Sequence, residues 1–315
     1  MHGENFSGNV KKTVEVREKE WYNRDTERRM VMEVRLKAYA KINLTLDLTG
    51  ILPNSYHGIF TCMQSVGLYD SVTVKKAEEG IILRCSEKYI PCDMRNTAYK
   101  AASLFLTKAG ITEGCEIYIK KVIPSGAGLA GGSADAAAVL KGLSILYHDC
   151  LSHKDIMQTA LEVGADVPFC YIGGTRLCQN IGEIMSPLPP LHTNVLIVKP
   201  RERVSTKDAY QRFDTAESIS HPDNNSFLFY AASGDYKEAV KYSENLFETL
   251  SDVASGKEIK EILTSHGAWF SSMSGSGSAY YGLFDSEEDM RKCADKIRSK
   301  AENVFCCATK SRGVE

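Results

Sequence analysis

The sequence predicts an α+β fold in two domains, on three observations. The chain has 315 residues, and at roughly 100–200 residues per domain two is the natural number. Strand-like and helix-like segments are mixed without the regular βαβ alternation of a doubly wound sheet. A proline-rich break, Pro187-Leu188-Pro189-Pro190, marks a linker. The expected units are an N-terminal extension over 1–32, a first domain over 33–186 and a second over 191–315.

Residues 34–49 alternate strictly. Val34, Leu36, Ala38, Ala40, Ile42, Leu44, Leu46 and Leu48 take one face, and Arg35, Lys37, Tyr39, Lys41, Asn43, Thr45, Asp47 and Thr49 the other. Period two predicts one or two half-buried strands, with Lys41 and Asn43 side by side on the polar face. Pro53-Asn54-Ser55 reads as a turn. Strands are expected over 66–76 and 81–85, then a helix from Asn96 to a glycine stop at Gly110. "CEIYIKKVIP" returns to strand. A helix follows from about Ala134 to Tyr147, with Val139, Leu140, Leu143 and Leu146 as its apolar stripe. Another helix covers 152–164. Residues 164–190 read as strands and turns, with Pro168 holding its predecessor extended. "NVLIVKP" is a buried strand. Helices are expected near 207–216, 235–250, 256–265 and 286–301, with a small-residue loop within 271–284 and a short closing strand.

Hydrophobic residues make up 43% of the chain, charged residues 25%, and the formal charge is −2. Those proportions fit a soluble globular protein, and no basic excess points to a nucleic-acid groove or an anionic membrane. The ten cysteines form no C-x-x-C pair, and the seven histidines lack ligand-like spacing. Reduced thiols in a cytoplasmic protein are expected. No apolar run reaches the roughly 20 residues of a membrane span. Residues 1–29 are polar and mix both charges. They read as a disordered extension, a cloning scar or an upstream start, with Met30 and Met32 as alternative starts, and not as a signal or transit peptide.

The segment "IPSGAGLAGGSADAAAVL" (123–140) carries the chemistry. Gly126, Gly128 and Gly131 match G-x-G-x-x-G. A helix N-terminus offers free N–H groups and partial positive charge to an anion, and glycines let backbone approach it. Ser133, Ala134 and Ala136–Ala138 keep the first helical turns thin, and Ser133 is placed to cap the helix or to reach a phosphate or metal. A P-loop would end in Gly-Lys-Ser/Thr, which is absent. A dinucleotide fingerprint would sit between the first strand and helix of a doubly wound sheet, whereas this loop lies far into its domain. A glycine-rich turn without ligand is the plain alternative. A third kind of phosphate loop remains, formed by Pro124, Ser125, Gly126, Ala127, Gly128, Leu129, Ala130, Gly131, Gly132, Ser133 and Ala134.

"PSGAGLAGGSADAA" (124–137) resembles the nucleotide loop of the GHMP kinase superfamily. Further stretches resemble the family within it that phosphorylates 4-(cytidine 5′-diphospho)-2-C-methyl-D-erythritol in non-mevalonate isoprenoid biosynthesis. They are "AYAKINLTLDLTG", Tyr56-His57-Gly58, "GADVPF" (164–169), "VSTKDAY" (204–210) and "MSGSGSAYYGLF" (273–284), in the family's order. There are departures. Ser133-Ala134-Asp135 stands where Ser-Ser-Asn is common, so Asp135 either points away from phosphate or lies close to a cation. Ala127 and Ala130 stand where glycine is common, which alanine tolerates while φ stays negative.

The resemblance implies the two-domain α+β GHMP kinase fold, with the site in the interdomain cleft. ATP is the implied co-substrate, with Mg²⁺ as its counter-ion. Asp166 is the implied base, where local sequence alone suggests a turn or cap residue. Lys41, otherwise a solvated strand lysine, is implied to pair with Asp166 and to stabilise charge developing in transfer. Asn43 is implied to touch substrate. Tyr56 and Tyr210 are implied to sandwich cytosine with His57 at its edge, where a polar turn and a core aromatic are the plain readings. Thr206 is implied to meet diphosphate or ribose, and Gly275, Ser276 and Gly277 the substrate phosphates. Asn96 and Lys121 are implied to line the adenosine pocket. Ser133 is one option for a metal ligand, phosphate and water alone the other. Small-molecule partners, no nucleic acid, no membrane, and a monomer or weak homodimer are expected. The alternatives are a homoserine or mevalonate kinase, a catalytically silent nucleotide-binding module and, more distantly, a dehydrogenase.

Overall fold

The computed structural model describes residues 32–315 except Asn54 and Glu217. The expectations for residues 1–31, and for Asn54 within its turn, lie outside the described residues.

The first structural unit is a long antiparallel ribbon. Strand β1 (Glu33–Ile51) pairs with β2 (His57–Ala77) from Glu33 opposite Lys75 to Ile51 opposite His57. β2 is far longer than the expected 66–76 because it serves two neighbours in succession. Its second half pairs with β4 (Gly114–Lys120), beside which β3 (Ile81–Cys85) runs parallel. Its first half pairs with β5 (Thr175–Asn180), which continues into β6 (Ile184–Pro187). β10 (Asn303–Lys310) meets β2 at Val66 and Ser65 and then pairs with β7 (Asn194–Lys199). β9 (Tyr280–Phe284) and β8 (Phe270–Met273) complete the sheet. The two halves of the chain therefore share a continuous set of strands through β10.

Helices α1 (Thr97–Ala109), α2 (Gly131–Leu146) and α3 (His153–Val163) cover the first half. α2 buries Ala134, Ala136–Ala138, Val139, Leu140, Leu143 and Leu146. Its thin face lets it lie close on the ribbon: a Cβ on Gly142 would come within 2.8 Å of Val74 Cγ2. α2 starts three residues earlier than expected, so Ser133 sits inside the first turn and not at the cap. Ala130 is the N-cap and adopts φ +57°, against the expectation of negative φ. That left-handed conformation costs about 1–2 kcal/mol in a residue with a Cβ.

Residues 167–172 form a short helix, α4 (Val167–Ile172), where strands and turns were expected. Pro168 does not hold its predecessor extended. It lies in the first turn, where its missing N–H would be unbonded anyway, so it starts the helix.

The second half carries α5 (Thr206–Thr215), α6 (Asn224–Ser233), α7 (Tyr236–Ala239), α8 (Leu246–Thr249), α9 (Gly256–Ser265) and α10 (Glu287–Ile297). The expected helix over 235–250 is broken. Ser243 and Asn245 are extended, and the Asn245 side chain bonds the Phe247 amide to cap α8. Such side chains compete with the helix for backbone partners. α6, capped by Asp223, was not expected. The closing helix ends at Ile297 and tightens into a 3₁₀ turn to Lys300. No helix among the described residues is long and apolar enough to cross a membrane.

The polar face of β1 departs most from the half-buried strand the alternation predicts. Arg35 and Lys37 are exposed, but Tyr39, Lys41, Asn43, Thr45 and Asp47 are all buried. The second half covers them. Tyr281 donates its hydroxyl to the Asn43 carbonyl at 2.6 Å, and Asp47 accepts from Asn224 at 2.6 Å and pairs with His221 at 2.7 Å.

Candidate active site

A cleft of about 540 Å³ opens where the glycine loop, β1 and the second half meet, a size that suits a small-molecule ligand. Pro124 to Ser133 line one wall, with Lys41, Asn43 and Lys121 beside them. Asp166, Thr206, Tyr210, Phe247, Gly275 and Ser276 also line the cleft.

The loop owes its shape to three left-handed positions. Gly126, Gly128 and Ala130 have φ +63°, +72° and +57°. Alternating backbone handedness of this kind turns successive N–H groups toward one concavity and makes an anion nest. The nest opens at the N-terminus of α2, whose free amides and dipole also favour an anion. Glycine is required at 128 because a Cβ there would sit 1.9 Å from the Ser274 carbonyl oxygen. The two small-residue loops thus pack backbone to backbone, and Ala279 N–H donates to the Ala127 carbonyl at 3.2 Å.

One carbonyl joins three motifs. Gly128 O accepts the Lys41 ammonium at 2.8 Å and the Ser274 hydroxyl at 2.9 Å. Lys41 also donates to Asn43 Oδ1 at 2.6 Å, and Asn43 Oδ1 accepts the Gly275 amide at 2.9 Å. Burial depresses the Lys41 ammonium below the ordinary lysine range, with Asp166 partly offsetting it. The expected ion pair with Asp166 is not formed. Two of the three ammonium hydrogens serve Asn43 and Gly128, and Asp166 acts on Lys41 through space. Asp166 precedes α4 in helical backbone geometry, and its side chain makes no capping bond, so the plain cap reading does not describe it.

The aromatic wall differs from a sandwich of Tyr56 and Tyr210. His57 lies against Tyr210 at 4.8 Å between ring centres, tilted by 35°, and its Nε2 meets Asp214 at 2.7 Å. Phe247 meets the Tyr210 ring edge-on at 4.9 Å. Tyr56 is 60% exposed and outside the cleft lining. Burial, with the nearby Asp166 charge, pushes the Tyr210 hydroxyl up to about 12. The hydroxyls of Thr206 and Ser276 hydrogen-bond at 2.9 Å, tying α5 to the Ser274–Ser278 loop. Gly277 donates its amide to the Ser274 carbonyl at 3.0 Å and shapes that loop from within.

Asn96 is not brought to the cleft lining. It caps α1 through Ala98 N–H at 2.9 Å and donates to the Pro91 carbonyl at 2.8 Å. Lys121 does line the cleft, pinned between Asp70 and Asp135 at 2.5 and 2.7 Å. Asp135 therefore lies close to a cation, one of the two situations open to it. Sequence reasoning missed Asp70, Asn245 and Phe247. Asp70 had a signal, a carboxylate within an apolar strand, whereas Asn245 and Phe247 had none.

Among the described residues no group of three His, Cys, Asp or Glu side chains could hold a metal ion. Ser125 and Ser133 line the cleft beside the nest, and a Mg²⁺ there would be held mainly by phosphate oxygens and water.

Residues 96–174 match the GHMP kinases N terminal domain, and residues 256–303 the GHMP kinases C terminal domain. A 4-diphosphocytidyl-2-C-methyl-D-erythritol kinase of Clostridium botulinum is 42% identical over 281 residues, covering 87% of this chain and 99% of that protein. One of Caldicellulosiruptor saccharolyticus is 41% identical over 278 residues, covering 87% and 96%. A crystal structure of a 4-(cytidine 5'-diphospho)-2C-methyl-D-erythritol kinase superposes with TM-score 0.72 at 29% identity, covering 87% of this chain and 98% of that one. A homoserine kinase of Cytophaga hutchinsonii also reaches TM-score 0.72, but at 18% identity it speaks for the fold alone. The chain shares sequence along its length with the first group and only its fold with the second: it belongs to the 4-diphosphocytidyl-2-C-methyl-D-erythritol kinase family of the GHMP kinases.

Proposed function

We propose that this chain transfers the γ-phosphoryl group of ATP to the 2-hydroxyl of 4-(cytidine 5′-diphospho)-2-C-methyl-D-erythritol. The observation that carries the reading is the convergence of Lys41 and Ser274 on the Gly128 carbonyl, which joins the glycine loop, β1 and the Ser274–Ser278 loop at one atom.

The nest of Gly126, Gly128 and Ala130 and the start of α2 hold the ATP phosphates, with Lys121 at their base. Asp166 accepts the hydroxyl proton as the alcohol attacks in line, and Lys41 faces the charge that develops on the phosphoryl oxygens. Asn43 fixes both Lys41 and the Gly275 amide, so it sets the distance between base and phosphate. Thr206, Gly275, Ser276 and Gly277 meet the substrate diphosphate. Tyr210, His57 and Phe247 form the wall for cytosine, and Tyr56 adjoins it through His57. Asn96 supports the adenosine end through α1, whose Thr97 hydroxyl donates to the Gly132 carbonyl at 2.7 Å. Bound Mg²⁺ would neutralise charge between the β- and γ-phosphates, with Ser133 as its protein ligand.

We take 33–186 as the ATP-binding and catalytic domain and 191–315 as the substrate domain. We take the chain to act as a monomer or weak homodimer. The ten free thiols suit a reducing cytoplasm. Phosphorus NMR of the product tests the reaction: a new monoester on the 2-hydroxyl of the erythritol unit is expected, and phosphate at any other hydroxyl contradicts it.

A further inference from the structure

A buried ionic triad lies beneath the phosphate loop. Asp70, Lys121 and Asp135 have side chains 0%, 5% and 5% exposed. They come from β2, the end of the β4 segment and the second turn of α2. Asp70 Oδ2 accepts the Lys121 ammonium at 2.5 Å, and Asp70 Oδ1 accepts the Val122 and Ile123 amides at 2.5 and 2.9 Å. Asp135 Oδ2 accepts the ammonium at 2.7 Å, while Asp135 Oδ1 is buried without a hydrogen-bond partner. An unpartnered buried carboxylate oxygen is costly, and a buried ion pair is weak evidence of stabilisation. The arrangement calls for a use other than holding the fold.

The location of the ammonium supplies one. A Cβ on Gly131, the first residue of α2, would lie 3.2 Å from Lys121 Nζ. Two of its three N–H donors go to the carboxylates, and the third remains for what enters the cleft. Resting on the reading of this loop as an ATP site, we propose that Asp135 is a positioning residue. With Asp70, it holds Lys121 at the floor of the phosphate loop with one N–H directed to the bound nucleotide. Burial alone would depress the Lys121 ammonium, but Asp135 and Asp70 outweigh it and hold it above the ordinary lysine range. Cys85 and Cys170 are the other titratable groups that interact with Asp135. Neither supplies a second cation, so Lys121 is the group through which Asp135 acts.

The test is a double-mutant cycle on binding of a non-hydrolysable ATP analogue, measured by calorimetry on the full chain. Asp135→Ala and Lys121→Met should each weaken binding about tenfold, the scale of one charge-assisted hydrogen bond. The double variant should be within about twofold of the weaker single, because both changes remove the same contact. Asp135→Asn, which keeps an acceptor for the ammonium, should recover most of the loss. Asp135→Ser carries the same cycle should the alanine variant not fold. Additive losses, or unchanged affinity in Asp135→Ala, would overturn the proposal. The readout is binding and not turnover, so a chain that binds the analogue but phosphorylates nothing would refute the kinase reading and leave this one standing.

Discussion

Gly275 donates its backbone N–H to Asn43 Oδ1 at 2.9 Å, on the same oxygen that accepts the Lys41 ammonium at 2.6 Å. The Ser274–Ser278 loop and β1 are thereby locked through one buried amide. Asn43→Ala should release both. We expect kcat to fall about 10- to 100-fold, with KM for ATP changed less than about threefold, because the loss falls on alignment and not on the phosphate nest. A matching rise in KM for ATP with kcat intact would place Asn43 in nucleotide binding instead.

Gly128 is the point of closest approach between the two loops. Gly128→Ala places a methyl 1.9 Å from the Ser274 carbonyl oxygen in a left-handed backbone. Denaturant unfolding should show a loss of about 2–4 kcal/mol, from left-handed strain plus overpacking. Ala130→Gly is the internal contrast. It relieves strain at φ +57° and should stay within about 1 kcal/mol of wild type. Equal destabilisation by the two changes would contradict this account of the loop.

The Tyr210 ring is held between His57 and Phe247. Tyr210→Ala should raise KM for the cytidine substrate about 10- to 100-fold, on the scale of base stacking, and leave KM for ATP nearly unchanged. Phe247→Leu should act in the same direction but more weakly, since an apolar wall remains. Equal effects on both substrates would remove these rings from cytosine recognition.

The buried Lys41 ammonium titrates below the ordinary lysine value of 10.5. On the proposed role of its charged form in transfer, the alkaline limb of kcat should fall below pH 10.5 and shift upward or vanish in the residual activity of Lys41→Arg. Between the lowered folded value and 10.5 the unfolded chain binds more protons. Lys41 should therefore add stability as pH rises through that window. An alkaline limb unmoved by the arginine variant would assign it to another group.

How much of this was legible in the sequence follows from the range of the interactions. Period-two alternation marked β1, and glycine density marked the phosphate loop, because both are local. The burial of Lys41, Asn43 and Asp47 was not legible. It is imposed by residues 221–224 and 273–281, far along the chain. Lys121 and Asp135 are joined across a strand, a loop and a helix start, so no single period links them. Ala130 reads as helix-favouring yet is held left-handed by the loop around it. Asn245 breaks an otherwise helical pattern because its side chain binds the Met273 and Gly275 carbonyls.

We take Asp166, which lines the cleft and makes no capping bond, as the base that accepts the proton. Asp166→Asn should lose at least about 10²-fold in kcat with near-normal ATP binding. Turnover close to wild type would require another base.

The most direct measurement is coupled ADP release from the wild-type chain with 4-(cytidine 5′-diphospho)-2-C-methyl-D-erythritol, homoserine and mevalonate offered separately. Turnover on the cytidine compound, with the other two near background, is expected. No turnover on the cytidine compound together with turnover on either of the others would contradict the account.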